Sequence, residues 1–343
     1  MTSCFVRGSS SCVALQLKKP NVNSNRRFFS IKLNQWLSTP RRANNRNGTF
    51  VVTKMPPGID IFFIALNIFL SITATLGNAL ILVALRNVSS IYPPTKLLFR
   101  CLAVTDLCVG LICQPLYVYL IIGNFTVELL YVYFFFYSVL LVVSPLTSAA
   151  ISVDRLLALL LGLRYRHVVT LCRVRVVMAC VWFIAVSNAS LLWVDFMLWS
   201  LKVYLTWWWT FLALLMVSII ISLFSYIKIF LTLRHQQAQV QDHDQPEQSS
   251  RVRSVLNIAR YKKTVYTVAW IQFVMLACYG PYIVMAFLLN FGSVGYSTEV
   301  WIAYAVSFCL FFLNSSLNPV LYCWRIKDVR QKVKNAIRKC LCC

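Results

Sequence analysis

Several groups of residues in this 343-residue chain have types and spacings that could do chemistry. Asp106 follows Leu102-Ala-Val-Thr and interrupts otherwise apolar sequence. A carboxylate there can hold a cation, exchange a proton, or sit neutral as a packing group. Asp154 and Arg155 form an adjacent acid and base where another apolar run gives out, followed by Arg164-Tyr165-Arg166-His167. Ser144, Ser148 and Arg155 are spaced i, i+4, i+11 and so share one helical face. Asn314, Asn318 and Tyr322 step by four and give a second polar stripe, with Pro319 freeing a carbonyl beside it. These groups can satisfy one another, and a cation or waters, only if they converge. Cys340, Cys342 and Cys343 cluster at the end of the sequence and are read as S-palmitoylation sites, with unmodified thiols as the alternative. An enzyme reading fails: His167, His235 and His243 have no metal-ligand spacing and all fall on one side of the spans described next.

The elements that position these residues are membrane helices. Only 13% of residues are charged, against about 25% in a soluble domain. Uncharged runs cover 61–85, 107–127, 129–153, 176–194, 203–227, 264–298 and 300–324. Each exceeds the roughly 18 residues that mark a membrane-helix candidate. The spans are placed at about 59–85, 96–122, 128–160, 174–194, 203–233, 258–289 and 299–323. The fold class is therefore an all-α membrane protein, a seven-transmembrane helix bundle. A net charge of +23 could suggest nucleic acid, but its distribution argues against that. Beyond residue 55, every Lys and Arg except Lys202 lies on the Arg155 side of the spans. The positive-inside rule puts that side and the C-terminus in the cytoplasm and the N-terminus outside, so the chain is expected as a multi-pass protein of the plasma membrane.

Three segments are expected: a basic arm at 1–57, the helical domain at 58–324, and a tail at 325–343. The arm is rich in Arg, Ser and Asn and carries no acid before Asp60. It reads as a disordered extracellular arm glycosylated at Asn47, as sequence upstream of a true start at Met55, or as an organelle signal. Asn124 in the first outer loop is a second glycan site. Pro115 and Pro145 should bend their helices, and Gly280-Pro281 makes a hinge. Trp207-Trp208-Trp209 reads as an interfacial aromatic belt. In the tail, Ile326, Val329, Val333 and Ile337 mark a basic amphipathic helix on the membrane surface.

Taken in order, the motifs resemble those of the rhodopsin-like (class A) G-protein-coupled receptors. They are Gly77-Asn78, Leu102-Ala-x-x-Asp106, Asp154-Arg155, Trp182, Tyr226, Pro281 and Asn318-Pro-x-x-Tyr322, one set on each of seven spans. The resemblance implies ligand-driven switching of the bundle and nucleotide exchange on a heterotrimeric G protein. By analogy Arg155 pairs with Asp154 at rest and meets the G protein when active, while Tyr226 and Tyr322 swing in to support it. Asp106, Ser144, Asn314 and Asn318 match the family's sodium site, and no other metal or cofactor is implied.

Departures from the family pattern are informative. Tyr279 stands where the family has a span 6 tryptophan, Ser218 stands near the usual span 5 proline, and Leu156 follows Asp154-Arg155. Leu130 replaces the cysteine at the outer start of span 3, and the short second outer loop has no cysteine. Together these resemble the melanocortin, cannabinoid and lysophospholipid receptor branch. The ligand pocket is expected between the outer halves of the spans, at Tyr117, Tyr133, Tyr137, Phe273, Tyr282 and Phe287 on spacing alone. An apolar, lipid-like ligand entering laterally competes with a basic peptide meeting Glu128 and Asp195. Two alternatives to the receptor reading stay open: a receptor-like protein with constitutive or no signalling, and a transporter using Asp106.

Overall fold

The computed structural model describes residues 57–122, 127–198, 200–242, 273–274, 276–289, 298–325 and 327–341. The helices are α1 (Pro57–Asn87), α2 (Pro93–Cys108), α3 (Gln114–Ile122), α4 (Val127–Leu161), α5 (Tyr165–Val168), α6 (Leu171–Leu198), α7 (Leu201–Asp242), α8 (Leu276–Leu289), α9 (Thr298–Arg325) and α10 (Lys327–Leu341). A π-helical turn, Val109–Cys113, joins α2 to α3, so the two form one span. Six spans are long and apolar enough to cross a membrane, and the described part of a seventh is α8. Every backbone amide inside such a helix is satisfied within its own segment, as a bilayer requires. Phe62, Phe69, Phe183, Phe224 and Phe230 point outward, exposed by more than half. Water would penalise that surface, whereas lipid tails accept it.

α4 is the central element. It packs against α7, α6 and α2, and its stretch from Val139 to Val143 is almost wholly buried. It ends where Gly162 takes a positive φ of 49°, a backbone state that glycine adopts at little cost. α1 packs on α9 with Gly77 against Pro319; a Cβ added there would meet the proline ring at 2.9 Å. The π turn sits next to the expected Pro115 bend, and Ser71 Oγ bonds its Gly110 carbonyl at 2.7 Å. A side chain on Gly110 would meet Thr75 at 2.7 Å, so this approach also needs glycine. α10 buries Val329 and Val333 against α1, while Ile337 is exposed.

One expectation, the interfacial tryptophan belt, is corrected by the structure. Trp207 and Trp208 lie inside the bundle, Trp207 donating its indole N–H to Ser138 Oγ at 3.2 Å, and only Trp209 faces outward. Residues 1–56, the glycan positions Asn47 and Asn124, and Cys342 and Cys343 lie outside the described residues; Cys340 falls within α10. The cysteines from Cys101 to Cys323 are free, and Leu130 is fully buried.

Candidate functional site

At the Arg155 end, α4 carries Asp154 and Arg155 past the last buried turns of the bundle. The Arg155 guanidinium forms an ion pair with its neighbour's carboxylate. It also donates to Thr95 Oγ1 of α2 at 2.6 Å. Thr95 in turn donates to Asp154 Oδ2 at 2.9 Å, and the Tyr165 hydroxyl donates to Asp154 Oδ1 at 2.6 Å. Asp154 is only 4% exposed, so these bonds stand in for water around a buried charge. The single turn of α5 brings Tyr165 back to Asp154 and sets its ring at a tilt against Tyr92, ring centroids 5.4 Å apart. Sequence reading singled out Asp154 and Arg155 but missed Thr95 and Tyr165. Their signal was slight: a Thr just before the expected start of span 2 and a Tyr eleven residues from the acid.

Tyr226 is tied to α4 one turn before Arg155. Its hydroxyl bonds Ser152 Oγ at 3.1 Å. Tyr322 is 2% exposed, with its ring against Phe99 at 5.3 Å and its hydroxyl without a partner.

Midway along the bundle, Asp106 is fully buried and accepts from Asn318 Nδ2 at 2.6 Å and Ser315 Oγ at 2.9 Å. Ser315 was missed because the stripe at Asn314, Asn318 and Tyr322 drew attention to the adjacent residue. Asn78 ties the same corner, donating to the Ser315 carbonyl at 3.0 Å. Asn314 is buried beside Tyr279 instead of bonding Asp106. Ser144 Oγ is buried without a hydrogen-bond partner, also beside the Tyr279 phenol. Of the two stripes only Asn318 bonds Asp106, while Ser144 and Asn314 lie beside Tyr279 of α8. Tyr279 packs edge-on against Phe311 at 5.1 Å. Pro145, Ser218 and Tyr279 line one apolar crevice, while Pro281 is exposed on the far face of α8.

Toward the opposite end lies an aromatic cluster. Tyr117 stacks on Phe308 at 4.5 Å, Tyr133 on Tyr137 at 5.7 Å, and Tyr282 meets Tyr137 at 6.0 Å. Phe273 and Phe287 do not belong to it: they are 61% and 42% exposed on the outside of the bundle, so their expected place in the pocket is corrected. Helical spacing gave the right element and the wrong face. Glu128 is exposed, whereas Asp195 is 1% exposed beside Tyr131.

The sequence matches the family described as 7 transmembrane receptor (rhodopsin family) over residues 77–322. The adenosine receptor A2b of Gallus gallus is 26% identical over 318 residues, covering 82% of this chain and 89% of that receptor. The adenosine receptor A2a of Canis lupus familiaris is 24% identical over 305 residues, covering 80% and 72%. For the adenosine receptor A2b of Homo sapiens the identity is 24% over 318 residues, with 83% and 92% covered.

Proposed function

The chain belongs to the seven-transmembrane receptor (rhodopsin) family, and on that premise we propose how its polar network switches. It is a G-protein-coupled receptor, a multi-pass membrane protein that acts on heterotrimeric G proteins and is not an enzyme. In our reading the described arrangement is the resting one. The observation that carries this is Arg155 folded onto Asp154 and Thr95, its side chain only 20% exposed. A guanidinium held this way cannot reach a cytoplasmic partner. Activation frees Arg155, brings Tyr226 off Ser152 and gives Tyr322 a partner. Each bond to the buried Asp154 charge is worth about 1.5–3 kcal/mol, so the network biases the equilibrium strongly toward rest. The Asp154, Arg155, Tyr226, Tyr279, Pro281, Asn318, Pro319 and Tyr322 set is thus the switch.

Asp106, Ser144, Asn314 and Asn318 are the residues that would hold sodium. The fit is supported by a fully buried carboxylate with no cationic neighbour among the described residues and by a buried Ser144 hydroxyl with no partner. A bound cation supplies a positive charge that stabilises the packed bundle around Asp106. It favours rest only by binding that state better.

The orientation we favour puts Arg155 and α10 in the cytoplasm and the N-terminus outside, at the plasma membrane, supported by the placement of Lys and Arg. S-palmitoylation at Cys340, Cys342 and Cys343 belongs to the same proposal, supported by the cluster of three cysteines after the basic helix. For the ligand, a basic peptide is disfavoured because Glu128 and Asp195 do not form one acidic surface. The relatives named above are adenosine receptors, while the missing disulfide resembles the melanocortin, cannabinoid and lysophospholipid branch. Both bodies of observation are compatible with an uncharged ligand, lipid-like or ring-like, at Tyr117, Tyr133, Tyr137 and Tyr282. The test of the switch is Arg155→Ala in membranes with purified G protein. Surface expression is expected to persist while basal and stimulated nucleotide exchange are lost; unchanged exchange would sink the mechanism.

A further inference from the structure

The Arg155 end of the bundle carries a patch of cations that the fold does not use. Residues 155–194 contain no acid and no lysine, so every fixed cation there is an arginine. Arg155 is folded onto Asp154, but Arg164, Arg166, Arg173 and Arg175 are exposed, as is His167. None of these four arginines has a carboxylate partner among the described residues. Other cations at this end have structural tasks. Lys96 donates to the Val88 carbonyl at 2.5 Å and Arg100 to the Leu85 carbonyl at 3.3 Å, at the end of α1 where the helix dipole favours positive charge. Arg173 and Arg175 stand instead at the start of α6, whose first turn holds no acid. Cations there oppose the dipole, so stabilising α6 is not what they do.

The fold gathers these side chains at one place. Arg173 donates from Nη1 to the Val168 carbonyl at 2.7 Å, which ties the end of α5 to the start of α6. The Tyr92 hydroxyl donates to the Val169 carbonyl at 3.1 Å, so the backbone after α5 is held against the bundle while Arg166 and His167 remain exposed. Arg173, Val177, Cys180 and Ile184 are spaced i, i+4, i+7, i+11 and share one face of α6. All four are exposed, so this face of the span meets lipid. From Arg173 to Ile184 the helix rises about 16 Å, close to half of a hydrocarbon core about 30 Å thick. An acyl chain lying on that stripe has the depth of one leaflet, and its headgroup comes level with the arginines.

We propose that Arg166, His167, Arg173 and Arg175 bind the headgroup of an anionic lipid that carries more than one phosphate, a phosphoinositide of the adjoining leaflet. A guanidinium meets a phosphate with two parallel N–H bonds, which an ammonium cannot do, and this patch is built from arginine alone. Several such forks around one headgroup call for more than the single charge of an ordinary anionic lipid. The apolar stripe under Arg173 separates a lipid from a soluble polyphosphate, which has no use for Val177 and Ile184. The proposal rests on the cytoplasmic orientation given above for this end of the bundle, the side on which such lipids are found.

The test measures binding of a fluorescent phosphatidylinositol 4,5-bisphosphate to the purified full-length receptor, with unlabelled lipids and inositol trisphosphate as competitors. The unlabelled bisphosphate lipid should compete at least about tenfold better than phosphatidylserine or inositol trisphosphate. No binding, or equal competition by either of those two, overturns the proposal. Arg166→Gln, Arg173→Gln and Arg175→Gln combined should weaken binding more than about tenfold. Removing as much charge from α10, with Arg330→Gln, Lys332→Gln and Lys334→Gln, should cost less than about threefold. Equal losses would assign binding to diffuse charge and overturn the site. Arg175→Gln alone should keep the melting temperature within about 2 °C and still cost about fivefold, so the site is read even where the triple variant does not fold. Unchanged binding in that single variant overturns it. Capture of purified G protein in phosphoinositide-free detergent should be equal for parent and triple variant; a loss would hand the patch to the G protein instead. A C-terminal epitope that antibody reaches only after cells are permeabilised reports separately on the orientation.

Discussion

The two ends of α4 handle buried polarity in opposite ways. At the Arg155 end, both Asp154 oxygens are engaged: Arg155 and Thr95 on one, Tyr165 on the other. At the other end, Gln114, Tyr133 and Tyr137 are equally buried, yet their polar atoms complete no hydrogen bond. A saturated network holds one state, because leaving it means breaking several bonds at once. An unsaturated one is stabilised by whatever brings the missing partners. The comparison suggests a division of labour within one bundle, with the resting state fixed at one end and the ligand's contribution entered at the other.

The sharpest way to break this comparison is Asp154→Asn. It removes the ion pair and weakens the two hydrogen bonds from Thr95 and Tyr165 to a buried charge, an effect of several kcal/mol. Ligand-free nucleotide exchange should rise by more than about tenfold, since each 1.4 kcal/mol is a factor of ten. A basal rate equal to the parent's would show that the saturated end does not hold rest. Thr95→Val comes next. It deletes a side chain that bridges Asp154 and Arg155, so basal exchange should rise about tenfold if that bridge contributes roughly 1.5 kcal/mol. Sodium sharpens the middle of the comparison. Titrating sodium chloride against choline chloride should lower basal exchange in the parent and leave Asp106→Asn flat; equal sodium responses in both would remove the ion from the mechanism.

Much of this was legible in the chain, for reasons that differ by residue. Spans are visible because a bilayer forbids scattered charge, so seven long uncharged runs are hard to misread. Asp106, Asn318, Asp154 and Arg155 stand out because polar groups in such runs are conspicuous. Thr95 and Tyr165 were not visible, because their role depends on where a loop returns the chain, and Thr is unremarkable near a helix start. The orientation of α8 was the other gap. Tyr279 and Tyr282 turn inward and Phe273 and Phe287 outward, but every one of them is aromatic, so an all-apolar helix has no polar face to fix its rotation. For Gln114 the obstacle was local: the π turn shifts the helix phase just ahead of it.

Tyr322 offers the smallest effect and the finest distinction. It lies in the saturated half but behaves like the other end, with a buried hydroxyl that bonds nothing. If unpartnered groups are waiting for a second state, that hydroxyl contributes to the active arrangement alone. Tyr322→Phe in the parent should then leave the melting temperature unchanged within about 1 °C and basal exchange unchanged within about twofold. Placed in the Asp154→Asn background, where the active state is populated, the same change should lower exchange several-fold, the worth of one hydrogen bond of about 1 kcal/mol. The double-mutant cycle reads the difference directly. Equal effects in both backgrounds would mean that the Tyr322 hydroxyl is a bystander, and that an empty hydrogen-bonding position in this bundle carries no information about its other state.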